Sequence, residues 1–283
     1  MSKVILISFA DKRFRNALKR VEEYTINFPF DERYFLTPDN SMTKKFWKDL
    51  KPWLYRRGYG YWVWKSHIVK EYLDKLEDGD ILFYCDAGVY WYDAPKALKR
   101  FDDYLKILKD DSDILAFQQP TIEQEWTKGD ILEALNVYGK DEICKSNQLW
   151  SGCFGLKKTK LICDFVNKWM ELSDIKMELV TDKRSDKPNK TGFKENRHDQ
   201  SIFSVLVKLY PHKEISYLEV DPPDKNWDTL STMPIQGRRH KEKDRPLSVI
   251  IKNKLLRPWR EIMNIYFRRF RDYEFLTKRS YPW

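Results

Sequence analysis

Short apolar runs, each closed by turn residues, alternate along the chain with longer stretches of helical hydrophobic spacing. The runs predict buried strands at Lys3–Phe9, Asp31–Thr37, Ile81–Tyr84, Ile114–Gln118, Trp150–Leu156 and Ile215–Val220. The spacing predicts helices over Asp11–Tyr24, with Phe14, Leu18 and Val21 on one face, and over Thr43–Leu54, Tyr61–Leu76 and Pro95–Lys109. Further helices are expected at Gly129–Leu135, Thr159–Leu172 and Arg197–Lys208. Ile122–Trp126 reads as irregular, Lys183–Glu195 as a polar, mobile loop broken by Pro188 and Gly192, and Asp221–Arg245 as mostly loop. No internal repeat or low-complexity tract interrupts the pattern. Alternation of strand and helix is the mark of an α/β protein with a mainly parallel, doubly wound sheet flanked by helices. It predicts one domain over residues 1–246 and a basic, aromatic, helical C-terminal tail over 247–283.

Composition narrows this picture. Hydrophobic residues make up 42% and aromatics 15% of 283 residues, enough for a large core, which excludes disorder as the whole answer. Cys85, Cys144, Cys153 and Cys163 form no C-x-x-C pair, which argues against a zinc site or a disulfide framework and for a reducing compartment. The chain runs from Met1 straight into a strand, and no apolar run nears the ~20 residues of a bilayer span. The expectation is a soluble, cytoplasmic protein. From Arg238 onward there are 14 Lys and Arg against 5 Asp and Glu, whereas residues 1–237 balance at 38 against 38. The basic character belongs to the tail, which mixes arginine with Trp259, Tyr266, Phe267 and Phe270. Such a segment suits either an anionic membrane surface or simple packing with solvated arginines. Charge confined there, with no nucleic-acid motif, argues against a nucleic-acid partner.

Four clusters carry candidate chemistry. Asp86-Ala87-Gly88 ends the strand Ile81–Tyr84, so its carboxylate falls at the carboxyl edge where open α/β sheets place ligands. Ala87 and Gly88 would let a bulky substrate approach the backbone, although Asp86 alone is also an ordinary turn cap. Gly58-Tyr59-Gly60-Tyr61-Trp62-Val63-Trp64-Lys65 offers aromatic platforms and a cation at a helix start, where a sugar or base and a phosphate would fit. Most of these aromatics are better explained by helix–sheet packing, and Lys65 is the functional candidate. In the stretch Asn147–Gly155, Trp150 could face a sugar ring over the small residues Ser151 and Gly152, or be a core tryptophan. His198-Asp199-Gln200 opens a helix with polar groups suited to sugar hydroxyls, and Asp199 also serves as an ordinary helix N-terminal charge. In Gln236–Lys241, Arg238 and Arg239 could grip a diphosphate or be solvated, and His240 could join Asp86 at a metal if the loop folds back.

In this order the motifs Lys65, Asp86-Ala87-Gly88, Trp150-Ser151-Gly152 and His198-Asp199-Gln200 make residues 1–220 resemble GT-A-type glycosyltransferases, the nucleotide-diphospho-sugar transferase superfamily. The layout looks most like its glycogenin-like and polysaccharide-assembly members. The resemblance implies a GT-A-like, Rossmann-like mixed sheet and transfer of a hexose from a UDP- or GDP-sugar to a carbohydrate or lipid-linked glycan. It places Ser8, Phe9 and Ala10 beside the nucleotide, Asp86 on Mn²⁺ or Mg²⁺, and Asp199 and Gln200 against the transferred sugar. It leans toward retention of configuration; an inverting enzyme would need a carboxylate base, for which Asp199, Glu123 and Glu125 are the candidates. The family's Asp-x-Asp pair is incomplete here, since only Asp86 is acidic, and the metal expectation is correspondingly weaker. Extension of a lipid-linked glycan would give peripheral membrane contact through the tail a purpose. A nucleotidyltransferase on a similar sheet is the competing enzyme, but no glycine-rich phosphate loop follows the first strand. A basic nucleic-acid- or membrane-binding protein is the non-enzymatic alternative.

Overall fold

The computed structural model describes residues 2–41, 57–174, 177–224 and 226–237. The predicted helix Thr43–Leu54, the tail 247–283, and Arg238, Arg239 and His240 lie outside the described residues.

Six strands form one sheet in the order β2-β1-β3-β6-β5-β7, where β1 is Val4–Phe9, β2 Glu32–Leu36, β3 Ile81–Asp86, β5 Ile114–Ile122, β6 Asn147–Lys157 and β7 Lys213–Ile215. Pairing is parallel between β1 and β2, β1 and β3, and β5 and β7. It is antiparallel where β6 meets β3 and β5, so β6 alone runs against the rest. The sheet is mixed and mainly parallel, an α/β arrangement. A separate ribbon pairs β4 (Tyr90–Trp91) with β8 (Ile235–Gln236).

Both faces of the central strands are buried, which is why they read as unbroken apolar runs. Along β3, Leu82 and Tyr84 enter one core with Ile5, Ile7 and Phe9, while Ile81, Phe83 and Cys85 enter the other with Val4 and Leu6. Helices Trp64–Leu73, Lys160–Asp174 and Asp199–Val207 pack on the first face. Helix Pro95–Lys106 and the β4–β8 ribbon cover the second through Phe101, Tyr104, Trp91 and Ile235.

Several expectations need correction. Phe14 is 56% exposed, because the chain from Lys12 to Phe14 is a 3₁₀ turn capped by Asp11 and the α-helix starts only at Arg15. The strand expected at Ile215–Val220 ends at Ile215, since the Ser216 hydroxyl accepts from Leu218 N and turns Tyr217–Glu219 into a 3₁₀ helix. Ile122–Trp126 is not irregular: β5 runs on to Ile122 and a single helical turn spans Glu123–Trp126. The strand expected at Trp150–Leu156 begins three residues earlier, at Asn147. Residues 183–195 carry no regular structure, and Asp130 takes the backbone N–H groups of Asp186 and Lys187.

Candidate active site

Four side chains that are distant in sequence meet at the carboxyl end of β3. Lys65, in the first turn of helix Trp64–Leu73, is 1% exposed. Its Nζ lies 2.9 Å from Asp199 Oδ2, 3.3 Å from Asp86 Oδ1, 3.0 Å from the Ser151 carbonyl oxygen and 3.2 Å from Ser151 Oγ. The Ser151 hydroxyl in turn donates to Asp199 Oδ2 at 2.8 Å. Tyr84, two residues before Asp86 on the same strand face, donates its hydroxyl to Asp86 Oδ1 at 2.6 Å, and its ring lies 5.2 Å from the ammonium. Because β6 runs antiparallel, the residues preceding Cys153, which faces Cys85, reach this same edge and bring Ser151 with them.

Burial alone would push the Lys65 ammonium down, but the pull of Asp199 and then Asp86 outweighs it, and its pKa stands above the usual 10.5. Burial pushes the Asp199 carboxyl above its ordinary 3.8 against the pull of Lys65. Burial, then Asp86, holds the Tyr84 hydroxyl far above 10, so it is a donor at any working pH. A lysine ammonium has three N–H bonds, and here it meets four protein oxygens. The cation is therefore occupied in fixing two carboxylates and does not present a free donor. The accessible charge is Asp86, whose side chain is 36% exposed.

The backbone leading to Lys65 is unusual. Gly58, Tyr59, Gly60, Tyr61 and Trp62 all lie at positive φ, between 52° and 96°, a region that bulky residues enter only under strain. His198, just before Asp199, has φ 60°. Its ring stacks on Trp62 and meets Tyr61 edge-on, and Nδ1 donates to the Val180 carbonyl at 2.7 Å. Burial, reinforced by Arg57, lowers its pKa from 6.5 to about 4, so the imidazole is neutral. Asp182 ties the cluster by accepting from Tyr61 Oη at 2.9 Å and Arg57 Nη1 at 3.0 Å.

Other predicted site residues fall as follows. Ser8 is buried in β1, Phe9 packs against Trp64 at 4.2 Å between ring centres, and Ala10 N donates to Leu36 O. Ala87 is buried and Gly88 half-buried beyond Asp86. Trp150 lies over Gly152, where a Cβ would come within 2.2 Å of its Nε1. Gln200 is half-buried, and its Nε2 donates to Gln148 Oε1 at 2.7 Å. Glu125 is drawn to Lys194 at 2.7 Å in the 183–195 segment. Glu123 is fully buried and saturated by Thr127, Gln148, Ser204 and Lys208, so it is no acceptor base. Gln148 and Lys208 were not legible as site neighbours, because nothing in local spacing points a strand glutamine and a helix-end lysine at one carboxylate.

Among the described residues no group of three His, Cys, Asp or Glu could hold a metal. Asp86 already takes the Tyr84 hydroxyl, and an ammonium 3.3 Å away opposes a second cation. These residues do not fit a protein-held Mn²⁺ or Mg²⁺.

No family model and no curated protein matches the chain. Solved structures similar to it include glycosyltransferases and an inositol-1-phosphate CTP transferase from T. maritima (TM-score 0.36, 9% identity, 77% of this chain and 86% of that one). One is a glycosyltransferase involved in glycosylation of the major capsid of PBCV-1 (TM-score 0.47, 11% identity, 84% of this chain and 96% of that one). Another is the bifunctional WbbM (0.47, 10%, 87% and 47%), of which the chain spans about half. A third is the galactosyltransferase LgtC with donor and acceptor sugar analogs (0.43, 12%, 85% and 90%). With identities of 9–12% and TM-scores below 0.5, these likenesses assign no activity to this chain.

Proposed function

We propose that the protein transfers a hexose from a UDP- or GDP-sugar to a carbohydrate hydroxyl, in assembly of a surface polysaccharide or other glycan. The observation that carries the reading is the buried Lys65 ammonium clamped between Asp199 and Asp86 at the carboxyl edge of the central strand, with Asp86 alone reaching solvent. A buried charged triad is costly, and one placed where α/β sheets bind ligands is better explained by a site than by stability.

In this reading Ser8 to Ala10 and Ala87-Gly88 border the nucleotide diphosphate, Trp150 faces a sugar ring, and Gln200 contacts the transferred hexose. Lys65 acts through the two carboxylates it fixes, holding Asp86 where donor hydroxyls or acceptor can reach it. The departing diphosphate needs positive charge, and since Lys65 is occupied by the two carboxylates we assign that role to Arg238 and Arg239, which follow β8. The acceptor class, carbohydrate or lipid-linked glycan, belongs to this proposal, as does peripheral membrane contact through residues 247–283. No helix among the described residues is long and apolar enough to cross a membrane.

The test is a thermal-shift panel of nucleotide sugars, with and without Mn²⁺, followed by turnover with the stabilising donor. Stabilisation by one nucleotide sugar and its loss in Asp86→Asn are expected. A panel that leaves the melting temperature unmoved, with strong heparin retention, would favour the basic binding-protein alternative.

A further inference from the structure

The Gln200 side chain does not choose its own orientation. Gln148, on β6 and fully buried, directs its Nε2 at Glu123 Oε1 (3.2 Å), Thr127 Oγ1 (3.2 Å) and the Trp126 carbonyl (3.4 Å). All three atoms present lone pairs to it, since the Thr127 proton is already given to Glu123 at 2.5 Å. Exchanging the oxygen and nitrogen of Gln148 would set its carbonyl against three acceptors, so its amide has one permitted sense. Gln148 Oε1 must then face Gln200, and Gln200 must answer with Nε2, at 2.7 Å. Behind Gln148, Glu123 is itself locked: its other oxygen accepts from Ser204 Oγ and from Lys208 Nζ at 2.6 Å. The chain Lys208–Glu123–Gln148–Gln200 therefore runs from a buried ion pair to the first turn of the Asp199–Val207 helix.

We infer that Gln148 is a positioning residue that holds the Gln200 amide with its carbonyl oxygen turned away from β6, so that Gln200 offers an acceptor to a hydroxyl of the bound sugar. The inference rests on the glycosyl-transfer reading for the identity of the sugar, and on the hydrogen-bond chain alone for the orientation. It gives Glu123 a role at a distance from the reacting atoms, where the sequence had suggested a base.

Gln148→Met keeps the side chain's length and removes the acceptor. Gln148→Met and Gln200→Met should each lower kcat/KM for donor turnover by about tenfold, the size of one well-placed hydrogen bond. The double variant should lose no more than Gln200→Met alone, because Gln148 acts only through Gln200. Additive losses would overturn the inference. A donor with fluorine in place of the contacted hydroxyl cannot donate, so one member of a deoxyfluoro panel should be penalised in the wild type and not in Gln148→Met. In Gln148→Glu the protonated acid can donate to Glu123 and accept from Gln200. Its activity should be retained at low pH and fall as pH rises, a limb absent from the wild type. With ¹⁵N-glutamine labelling, the Gln200 amide protons should shift and exchange faster in Gln148→Met without any donor present. An unmoved Gln200 signal sinks the orientation claim whatever binds, whereas a wild type that binds no nucleotide sugar sinks the glycosyl reading and leaves the orientation to the NMR result.

Discussion

Replacing Lys65 by Met removes the one cation that, among the described residues, Asp199 and Asp86 share. Asp199 is 5% exposed and would keep only the Ser151 hydroxyl. Breaking a buried ion pair by deleting one partner costs about 3–5 kcal/mol. Asp86, more than a third exposed, adds little because solvent screens it. Protonation sets a ceiling on the cost, since Asp199 can escape its charge by taking up a proton. Against an unfolded carboxyl at the ordinary 3.8, that route costs about 4 kcal/mol at pH 7 and about 2 kcal/mol at pH 5, at 1.36 kcal/mol per unit. The sign follows: a carboxyl whose folded pKa is raised keeps its proton where the unfolded chain has lost it. Stability of Lys65→Met should therefore fall as pH rises from about 4 to 7, relative to the wild type. At pH 7 the melting temperature should drop by roughly 6–16 °C, using 2–4 °C per kcal/mol for a domain of this size. Lys65→Met/Asp199→Asn should recover most of that loss, because the stranded charge is gone. Melting curves at pH 5 and 7 read both effects. A deficit that is the same at both values, or that Asp199→Asn leaves unrepaired, would refute the buried-triad account.

Asp86→Asn should reduce donor turnover at least a hundredfold, a typical loss for one electrostatic group at a reacting centre, while unfolding free energy changes by less than about 1 kcal/mol; comparing turnover with the melting curve checks both. His198 is neutral with a pKa of about 4 against 6.5 unfolded, so it contributes stability that is lost as pH falls through that window, about 3 kcal/mol in all. In His198→Phe, which keeps a ring against Trp62, the difference from wild type in urea midpoint should show that slope removed. Gly152→Ala puts a Cβ 2.2 Å from Trp150 Nε1 and must swing the indole, at a cost of about 1–3 kcal/mol. A shift in tryptophan emission together with weaker sugar binding is expected, and unchanged emission would remove Trp150 from its assigned place.

The central strands were legible because burial on both faces makes them continuous apolar runs, and Asp86 stood out as the charge where one of them stops. The opening of β6 was not, since it is written in polar residues, Asn147 and Gln148, and the partners of Gln148, Gln200 and Glu123, lie elsewhere in the chain. Gly155, inside that strand, lowers its signal for a packing reason: a Cβ there would come within 2.6 Å of Leu108 Cδ1. The two-residue strands β4 and β8 are too short to show any period. Pairing of Lys65 with Asp199 and Ser151 is purely tertiary. The sequence offered the right residues at element ends, and only the sheet order β3-β6 brings those ends together. The same order explains why Lys65, expected as a phosphate ligand, is instead enclosed by carboxylates and a carbonyl.

The odd composition of residues 58–65 acquires a cause from this geometry. A right-handed helix continued backward from Trp64 would carry the chain along the helix axis, whereas five residues at positive φ fold it back so that Trp62 and Tyr61 reach His198. Each non-glycine residue held there costs of order 1–3 kcal/mol, so Tyr59, Tyr61, Trp62 and His198 together store several. The compensating contacts are those of Tyr61 and Arg57 with Asp182, His198 with Val180, and Trp64 Nε1 with Gly58 O at 3.0 Å. Two strained segments, one before Lys65 and one before Asp199, thus press on each other through three rings, and the two charged residues that follow them meet at 2.9 Å. A chain selected for stability alone would relax either segment. Retaining both fixes a buried ammonium and a buried carboxylate beside the exposed Asp86, which accords with the site proposed above.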